Sequence, residues 1–146
     1  PYVIEYNVRF GDPECQTLLR NLKTDLLKIF TSTTEDKLHT QNIENFNKSV
    51  VCVVLASNGY PGNYKKNMKI NNIEKEKISK NNFIYHAGTK YENGQLFSNG
   101  GRVLNITTTG NNLRLIRNKI ISIIKKINWK EGFFRKDIGW RAINKK

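Results

Sequence analysis

Acidic, amide and basic side chains alternate near the start of the chain, at Glu5, Asn7 and Arg9. Residues 2–10 interleave them with β-branched, aliphatic and aromatic residues, a pattern that predicts a strand. Because successive side chains of a strand point to opposite faces, the three polar side chains would share one face. A carboxylate and an amide oxygen placed in this way could hold Mg²⁺ on a nucleotide polyphosphate, since magnesium takes few protein oxygens and fills its other positions with water and phosphate. The same alternation also fits the solvated face of an edge strand.

The residues that follow, 11–14, predict the end of that strand and the start of a helix. Asp12 suits the N-cap, Pro13 the first helical position and Glu14 the positive end of the helix dipole. Two further carboxylates would therefore lie beside the candidate magnesium site. Asp12 could also be a helix cap and nothing more.

A later segment combines two glycines with a cation, at Gly100, Gly101 and Arg102. Glycines let the backbone approach a ligand closely, and the guanidinium supplies a two-pronged donor for phosphate or carboxylate. A structural turn between two strands would need the same glycines. Both interpretations stay open on the sequence alone.

Hydrophobic periodicity predicts the elements that position these residues. One long helix is expected at residues 13–30, because leucine, isoleucine and phenylalanine recur there at steps of three and four. The other expected elements, in order, are a polar junction at 31–48, a buried strand at 49–57, a hairpin of 83–91 and 95–97, a turn at 98–101, a strand at 102–109 and a helix at 113–127 capped by Asn111 or Asn112.

Composition narrows the classes of function. The formal net charge is +13, but lysine carries most of the excess and no aromatic residues are interleaved as a stacking surface, which argues against nucleic-acid binding. No apolar run approaches the ~20 residues that span a bilayer, so no membrane partner is expected. Cys15 and Cys52 lie far apart without metal-binding spacing, and are expected to be reduced thiols of a cytoplasmic protein.

Several blocks of the chain carry a family resemblance. Residues 5–16, EYNVRFGDPECQ, resemble the closing motif of the ATP-grasp domain in the phosphoribosylamine–glycine ligase (glycinamide ribonucleotide synthetase) family. Residues 53–64 resemble the segment that opens the C-terminal domain of that family, and residues 86–90, 98–104 and 134–142 resemble its later blocks in the same order.

The resemblance implies an α+β fold in two parts. Residues 1–48 would be the last strand and helix of an ATP-grasp domain, and residues 49–146 a small, mostly antiparallel β domain with a covering helix. The chain opens on Pro1 and leads straight into the expected strand, so it is interpreted as the C-terminal part of a longer polypeptide whose N-terminal part is missing. By itself this part is expected to be inactive.

The resemblance also implies a reaction. The intact protein would be a cytoplasmic, ATP-dependent ligase that joins glycine to 5-phosphoribosylamine through a glycyl phosphate, giving glycinamide ribonucleotide in purine biosynthesis. The alternatives are another ATP-grasp ligase or carboxylase of purine synthesis and, from a different class, a basic nucleic-acid-binding module.

The expected site residues follow from the same resemblance and from their chemistry. Glu5 and Asn7 would hold Mg²⁺ or Mn²⁺ on the co-substrate ATP, and Arg9 would be the catalytic cation. The expected substrate-binding residues are Asp12 and Glu14 for an amine, and Gly100, Gly101, Arg102, Arg135 and Arg141 for phosphate.

Overall fold

The structure is a computed structural model that describes residues 2–4, 6–73 and 79–144. The strands in this part of the chain are β1 (Ser49–Ser57), β2 (Lys69–Ile70), β3 (Asn82–His86), β4 (Thr89–Glu92), β5 (Gln95–Ser98), β6 (Arg102–Gly110) and β7 (Gly132–Phe133). The helices are α1 (Glu14–Asn21), α2 (Leu26–Thr34), α3 (Leu113–Lys126) and α4 (Trp140–Ile143), with a 3-10 helix at Leu38–Thr40.

A four-stranded antiparallel sheet in the order β3-β6-β1-β7 forms the centre of the molecule. The long strands β1 and β6 pair along their length, with Val53 opposite Ile106, because both are runs of β-branched and apolar residues. A second, three-stranded sheet has the order β2-β5-β4. Its β4–β5 hairpin turns at Asn93 and Gly94, which both have positive φ angles as tight hairpin turns require.

The hydrophobic core lies between this sheet and α3. Ile116 and Ile120 on the helix pack with Val53, Leu104 and Ile106 of the strands, and all five are buried. The side chain of Asn112 caps α3 by accepting a hydrogen bond from the Leu115 backbone N–H at 3.1 Å. Helix α3 therefore covers one face of the sheet and leaves the opposite face to α1.

The expected fold class is confirmed: the protein is α+β, mostly antiparallel, with a covering helix. The strand expected at 49–57 and the cap at Asn112 are found as predicted. The strand expected at 102–109 and the helix expected at 113–127 each differ from the structure by one residue.

The strand expected at residues 2–10 is not formed among described residues 2–4 and 6–10. Tyr2, Ile4 and Val8 are almost fully exposed, at 98%, 94% and 99%. A strand is stabilised by pairing with a neighbour and by packing of its apolar face. The structure pairs no strand with this segment in the part of the chain it describes, so the alternating pattern alone does not form one.

The single helix expected at residues 13–30 is two helices, α1 and α2. The backbone N–H groups of Lys23 and Thr24 both donate to the Glu44 carbonyl, at 2.9 and 3.2 Å, instead of continuing the helix. Asp25 then caps α2 by accepting from the Lys28 backbone N–H. Tertiary hydrogen bonds thus override the continuous apolar periodicity.

The strand expected at 83–91 is likewise interrupted, because β3 belongs to the four-stranded sheet and β4 to the three-stranded one. Ala87 and Gly88 make the turn, and both of their N–H groups donate to the Val103 carbonyl. A Cβ atom on Gly88 would lie 2.6 Å from the Arg102 carbonyl oxygen, so only glycine fits this close crossing.

Among the described residues, no helix has the length and apolar character that crossing a membrane requires.

Candidate functional site

Asn7 and Arg9, two of the three alternating polar residues near the start of the chain, border one depression in the surface. It measures about 630 Å³, and its polar lining consists of Asn7, Arg9 and Glu14. The Arg9 guanidinium donates to its neighbouring Phe10 carbonyl at 2.8 Å. Val8 and Phe10 line the same depression, so the strand-like separation of polar and apolar faces is not kept. Glu5, the other expected metal ligand, lies outside the described residues.

The donor chemistry of the depression fits a hard cation. Asn7 supplies an amide oxygen, a donor of the kind that Mg²⁺ takes, and the nearby Glu14 carboxylate adds negative charge. In the described residues, no three His, Cys, Asp or Glu side chains come together as a metal-binding group.

Asp12 lies at the junction between α1 and the sheet, and several donors surround it. The Arg102 guanidinium forms an ion pair with its Oδ2 at 3.2 Å and donates to its backbone carbonyl at 2.7 Å. The amides of Asn105 and Gln16 donate to its Oδ1 at 3.2 and 2.9 Å. Asp12 is not the helix cap that the sequence predicted, since the N-cap residue of α1 is Pro13. It fastens the start of α1 to β6.

Arg102 and Asp12 are both expected site residues, and the structure brings them together with each other. Gly100 and Gly101, which precede Arg102, pack against the end of β1. The Ser57 N–H donates to the Gly101 carbonyl and the Ser57 hydroxyl to the Gly100 carbonyl, both at 2.8 Å. A Cβ on Gly101 would lie 2.1 Å from the Tyr60 ring. The backbone of this turn therefore packs tightly against Ser57 and the Tyr60 ring, which is a structural reason for its glycines.

The two arginines of the C-terminal tail each have a partner close by in sequence. Arg135 forms a two-pronged ion pair with Asp137, at 2.6 and 3.0 Å. Hydrogen bonding within this pair raises the pKa of the Arg135 guanidinium and lowers the pKa of the Asp137 carboxyl. The Arg141 guanidinium lies 5.5 Å from the ring centre of Trp140. Both arginines are exposed.

Three polar residues that connect the helices, the sheet and the C-terminal tail were not identified from the sequence. Arg117 of α3 fastens the tail by donating to the carbonyls of Ile138, at 2.8 Å, and Lys136. Arg20 of α1 places its guanidinium 4.6 Å from the ring centre of Phe83. Asn105 interrupts the apolar run of β6, and that interruption was the one visible signal.

Cys52 lies on the face of the sheet that α1 covers, and its thiol has low reactivity. Burial, together with the negative charge of Asp12, raises the pKa of its thiol to about 12. The thiol therefore stays protonated at neutral pH, whereas the thiolate is the reactive form. This agrees with the expectation of a reduced core thiol.

Together, the fold and the site define a small α+β module whose sheet has an apolar face under α3 and a polar face that receives α1. Residues 50–141 match the family model described as "Phosphoribosylglycinamide synthetase, C domain". The chain belongs to this family, which confirms the resemblance seen in the sequence.

Curated relatives extend the match beyond that domain. The chloroplastic phosphoribosylamine–glycine ligase of Arabidopsis thaliana is 43% identical over 148 residues, covering 100% of this chain and 28% of the relative. The phosphoribosylamine–glycine ligase of Agrobacterium fabrum is 46% identical over 143 residues, covering 98% and 33% respectively. The chain thus spans about a third of the length of these relatives.

A solved structure agrees with the fold. The crystal structure of phosphoribosylamine–glycine ligase from Thermotoga maritima matches with a TM-score of 0.70 at 29% sequence identity. The match covers 94% of this chain and 33% of the other.

Proposed function

We propose that the chain is part of an ATP-dependent ligase that joins glycine to 5-phosphoribosylamine to give glycinamide ribonucleotide, an intermediate of purine biosynthesis. The observation that carries this proposal is similarity along nearly the whole chain, to relatives 43% and 46% identical that are named phosphoribosylamine–glycine ligase. The similarity includes residues 5–16, which lie outside the family model but inside those alignments.

The proposed division of the chain places the end of an ATP-grasp domain at residues 1–48 and the C-terminal domain at residues 49–146. Two observations support this boundary: the family model begins at residue 50, and β1 begins at Ser49. The missing N-terminal part of the polypeptide would supply the remaining groups that bind ATP and substrate.

In the proposed reaction, ATP phosphorylates the glycine carboxylate and the amine of 5-phosphoribosylamine then displaces phosphate from the glycyl phosphate. Catalysis of phosphoryl transfer depends on positioning and on neutralising charge. Arg9 is the proposed catalytic residue, because its guanidinium borders the same depression as Asn7 and Glu14. There it would stabilise the negative charge that moves with the phosphoryl group.

Glu5 and Asn7 are the proposed ligands of Mg²⁺ or Mn²⁺. These two side chains would hold the cation through their oxygens, and it would supply positive charge that neutralises the nucleotide phosphates. The amide of Asn7 adds an oxygen donor without adding a negative charge that would repel those phosphates. Glu14 borders the same depression.

Glu14 is the better placed of the two carboxylates for the substrate amine. The two carboxylate oxygens of Asp12 are already engaged, Oδ1 by the Asn105 amide and Oδ2 by the Arg102 guanidinium. Asp12 would therefore bind substrate only if these contacts rearrange. The same holds for Arg102 and a substrate phosphate. Arg135 and Arg141 are proposed to lie behind that phosphate. Both are exposed, and Arg135 would have to exchange its ion pair with Asp137 for the phosphate.

An assay of the longer polypeptide that carries this chain tests the proposal. With ATP, glycine and phosphoribosylamine it should form glycinamide ribonucleotide, whereas this chain by itself should not. Substitution Asn7→Leu should lower kcat at limiting Mg²⁺ by roughly tenfold or more, as expected for lost transition-state stabilisation. Asn118→Leu, on the exposed face of α3, is the control and should keep the wild-type rate.

Two results would contradict this assignment. Product formation by the isolated chain would show that the remaining polypeptide is not needed. A wild-type rate for Asn7→Leu at limiting Mg²⁺ would remove Asn7 from the metal site.

A further inference from the structure

The face of α1 that contacts the sheet is polar. Gln16 and Arg20 lie four residues apart and so project from the same side of α1, and Asp12, which precedes the helix, accepts a hydrogen bond from the Gln16 amide. Asp12 contacts Asn105 of β6, and Arg20 lies over the ring of Phe83 in β3. Helix α1 therefore rests on the sheet through hydrogen-bonding groups, while α3 packs on the other face through isoleucines.

This interface holds most of the buried polar atoms that lack a partner among the described residues. They are Gln16 Oε1, Arg20 Nε, Asn105 Oδ1 and Thr107 Oγ1, and the remaining one is Trp129 Nε1. A buried polar atom without a partner destabilises a fold, because it loses its hydrogen bonds to water. These atoms offset part of the stability that the hydrogen bonds of the same residues provide.

Asn105 shows this conflict most clearly. Its side chain is 1% exposed and lies on the face of β6 that receives α1, opposite to the face on which Leu104 and Ile106 pack under α3. In this buried position the amide donates to the Asp12 carboxylate. Its own oxygen, Oδ1, has no partner in the described part of the chain.

We propose that Asn105 is a positioning residue that holds Asp12, and through it the segment carrying Arg9 and Glu14, in place for phosphoryl transfer. This inference rests on the proposed function. Asp12 is three residues from Arg9 and two from Glu14, and a chain extends at most ~3.6 Å per residue. In this proposal a shift of Asp12 displaces these near neighbours in the chain, and displacements of about 1 Å can lower a reaction rate by ~10²-fold.

The first test measures turnover of the longer polypeptide that carries this chain. Asn105→Leu keeps the side-chain size while removing the hydrogen bond and the unpartnered oxygen. It should lower kcat by roughly tenfold or more while the KM values for ATP and glycine change less than about twofold, because alignment and not binding is lost. Thr107→Val is the matched control: it removes an unpartnered hydroxyl from the same face of the same strand and should keep the wild-type kcat.

The second test is independent of activity and uses this chain. In Asn105→Leu, the backbone amides of α1 should exchange with solvent roughly tenfold faster or more, since a hydrogen bond to a charged group is lost. Amides of α3, which packs on the other face, should exchange as in the wild type. The Thr107→Val variant should leave both helices unchanged.

The outcomes separate this inference from the proposed function. Absence of ligase activity in the wild-type polypeptide would refute the proposed function, while the exchange experiment still decides whether Asn105 holds α1. A wild-type kcat in Asn105→Leu, or unchanged exchange in α1, would overturn the inference. If Asn105→Leu does not fold, Asn105→Ala is read in the same two assays, and failure of both variants to fold would also overturn it, since the role would then be structural.

Discussion

Substitution of Gly101 by alanine tests whether this residue must be glycine because its backbone packs against the Tyr60 ring. The added Cβ would lie 2.1, 2.5 and 3.2 Å from three atoms of the Tyr60 ring. Carbon atoms in contact stand ~3.5–4.0 Å apart, so the closest approach is short by about 1.4 Å. The backbone cannot easily retreat, because Gly101 and Gly100 both accept hydrogen bonds from Ser57. The Tyr60 ring must therefore move.

The cost of that movement can be worked out from its parts. Overpacking of a well-packed site costs about 1–3 kcal/mol. The displaced ring also loses its edge-on contact with Tyr64, whose ring centre is 6.1 Å away, and such contacts are worth ~0.5–1.5 kcal/mol. Gly101→Ala should thus lower the free energy of unfolding by about 1.5–4.5 kcal/mol.

Urea denaturation of the chain, followed by circular dichroism, measures this change as a lower midpoint at an unchanged m value. The control is the same substitution in a Tyr60→Ala background, where the ring is absent. There the steric cost is absent, so the substitution should be neutral or slightly stabilising, because alanine restricts the unfolded chain more than glycine does. An equal loss in both backgrounds would refute the steric explanation, and loss of ligase activity without loss of stability would favour a ligand-binding role for the turn.

Two further predictions concern the core and its thiol. Ile120→Ala should lower the free energy of unfolding by ~2–5 kcal/mol, because this fully buried side chain leaves a cavity. Leu115→Ala on the same helix, where the side chain is 65% exposed, should change it by less than about 0.5 kcal/mol in the same denaturation experiment. The folded pKa of Cys52, about 12, lies above the ordinary value of 9.0, so its contribution is present below pH 9.0 and is lost as pH rises from there towards 12. Stability of the wild type should therefore fall more steeply with pH in this window than that of Cys52→Ala, by up to ~1.4 kcal/mol per pH unit, and parallel curves would contradict the assignment.

The sheet centre and its covering helix could be predicted because local pattern and tertiary packing agree there. Strand β1 is a continuous apolar run that the structure buries, and Asn112 both fits a helix cap and forms one. In such segments each residue's preference matches the contacts that it makes in the fold.

The N-terminal region could not be predicted in the same way, because its structure depends on distant residues. Nothing in the apolar periodicity of residues 13–30 shows that Glu44 accepts hydrogen bonds from Lys23 and Thr24 and thereby separates two helices. Similarly, the alternation of polar and apolar residues at 2–10 indicates only which side chains would share a face if a strand formed. It does not supply the neighbouring strand that would make a ladder.

Only the part of the candidate site that is local in sequence could be predicted. The chemistry of Asn7, Arg9 and Glu14 could be read from their types and short spacing, and these residues border one depression. The ion pair of Asp12 with Arg102 joins residues 90 positions apart. No local pattern predicts such a pair, and it changes the interpretation of both residues.

The contrast between the two faces of the central sheet has a mechanical consequence. Lifting α3 would expose isoleucines to water, which is strongly unfavourable. Lifting α1 would mainly expose groups such as Gln16, Arg20 and Asn105, which water solvates well and which the protein satisfies only in part. The interface beneath α1 therefore gains less from apolar burial than the interface beneath α3, and its strength depends more on hydrogen bonds and charge.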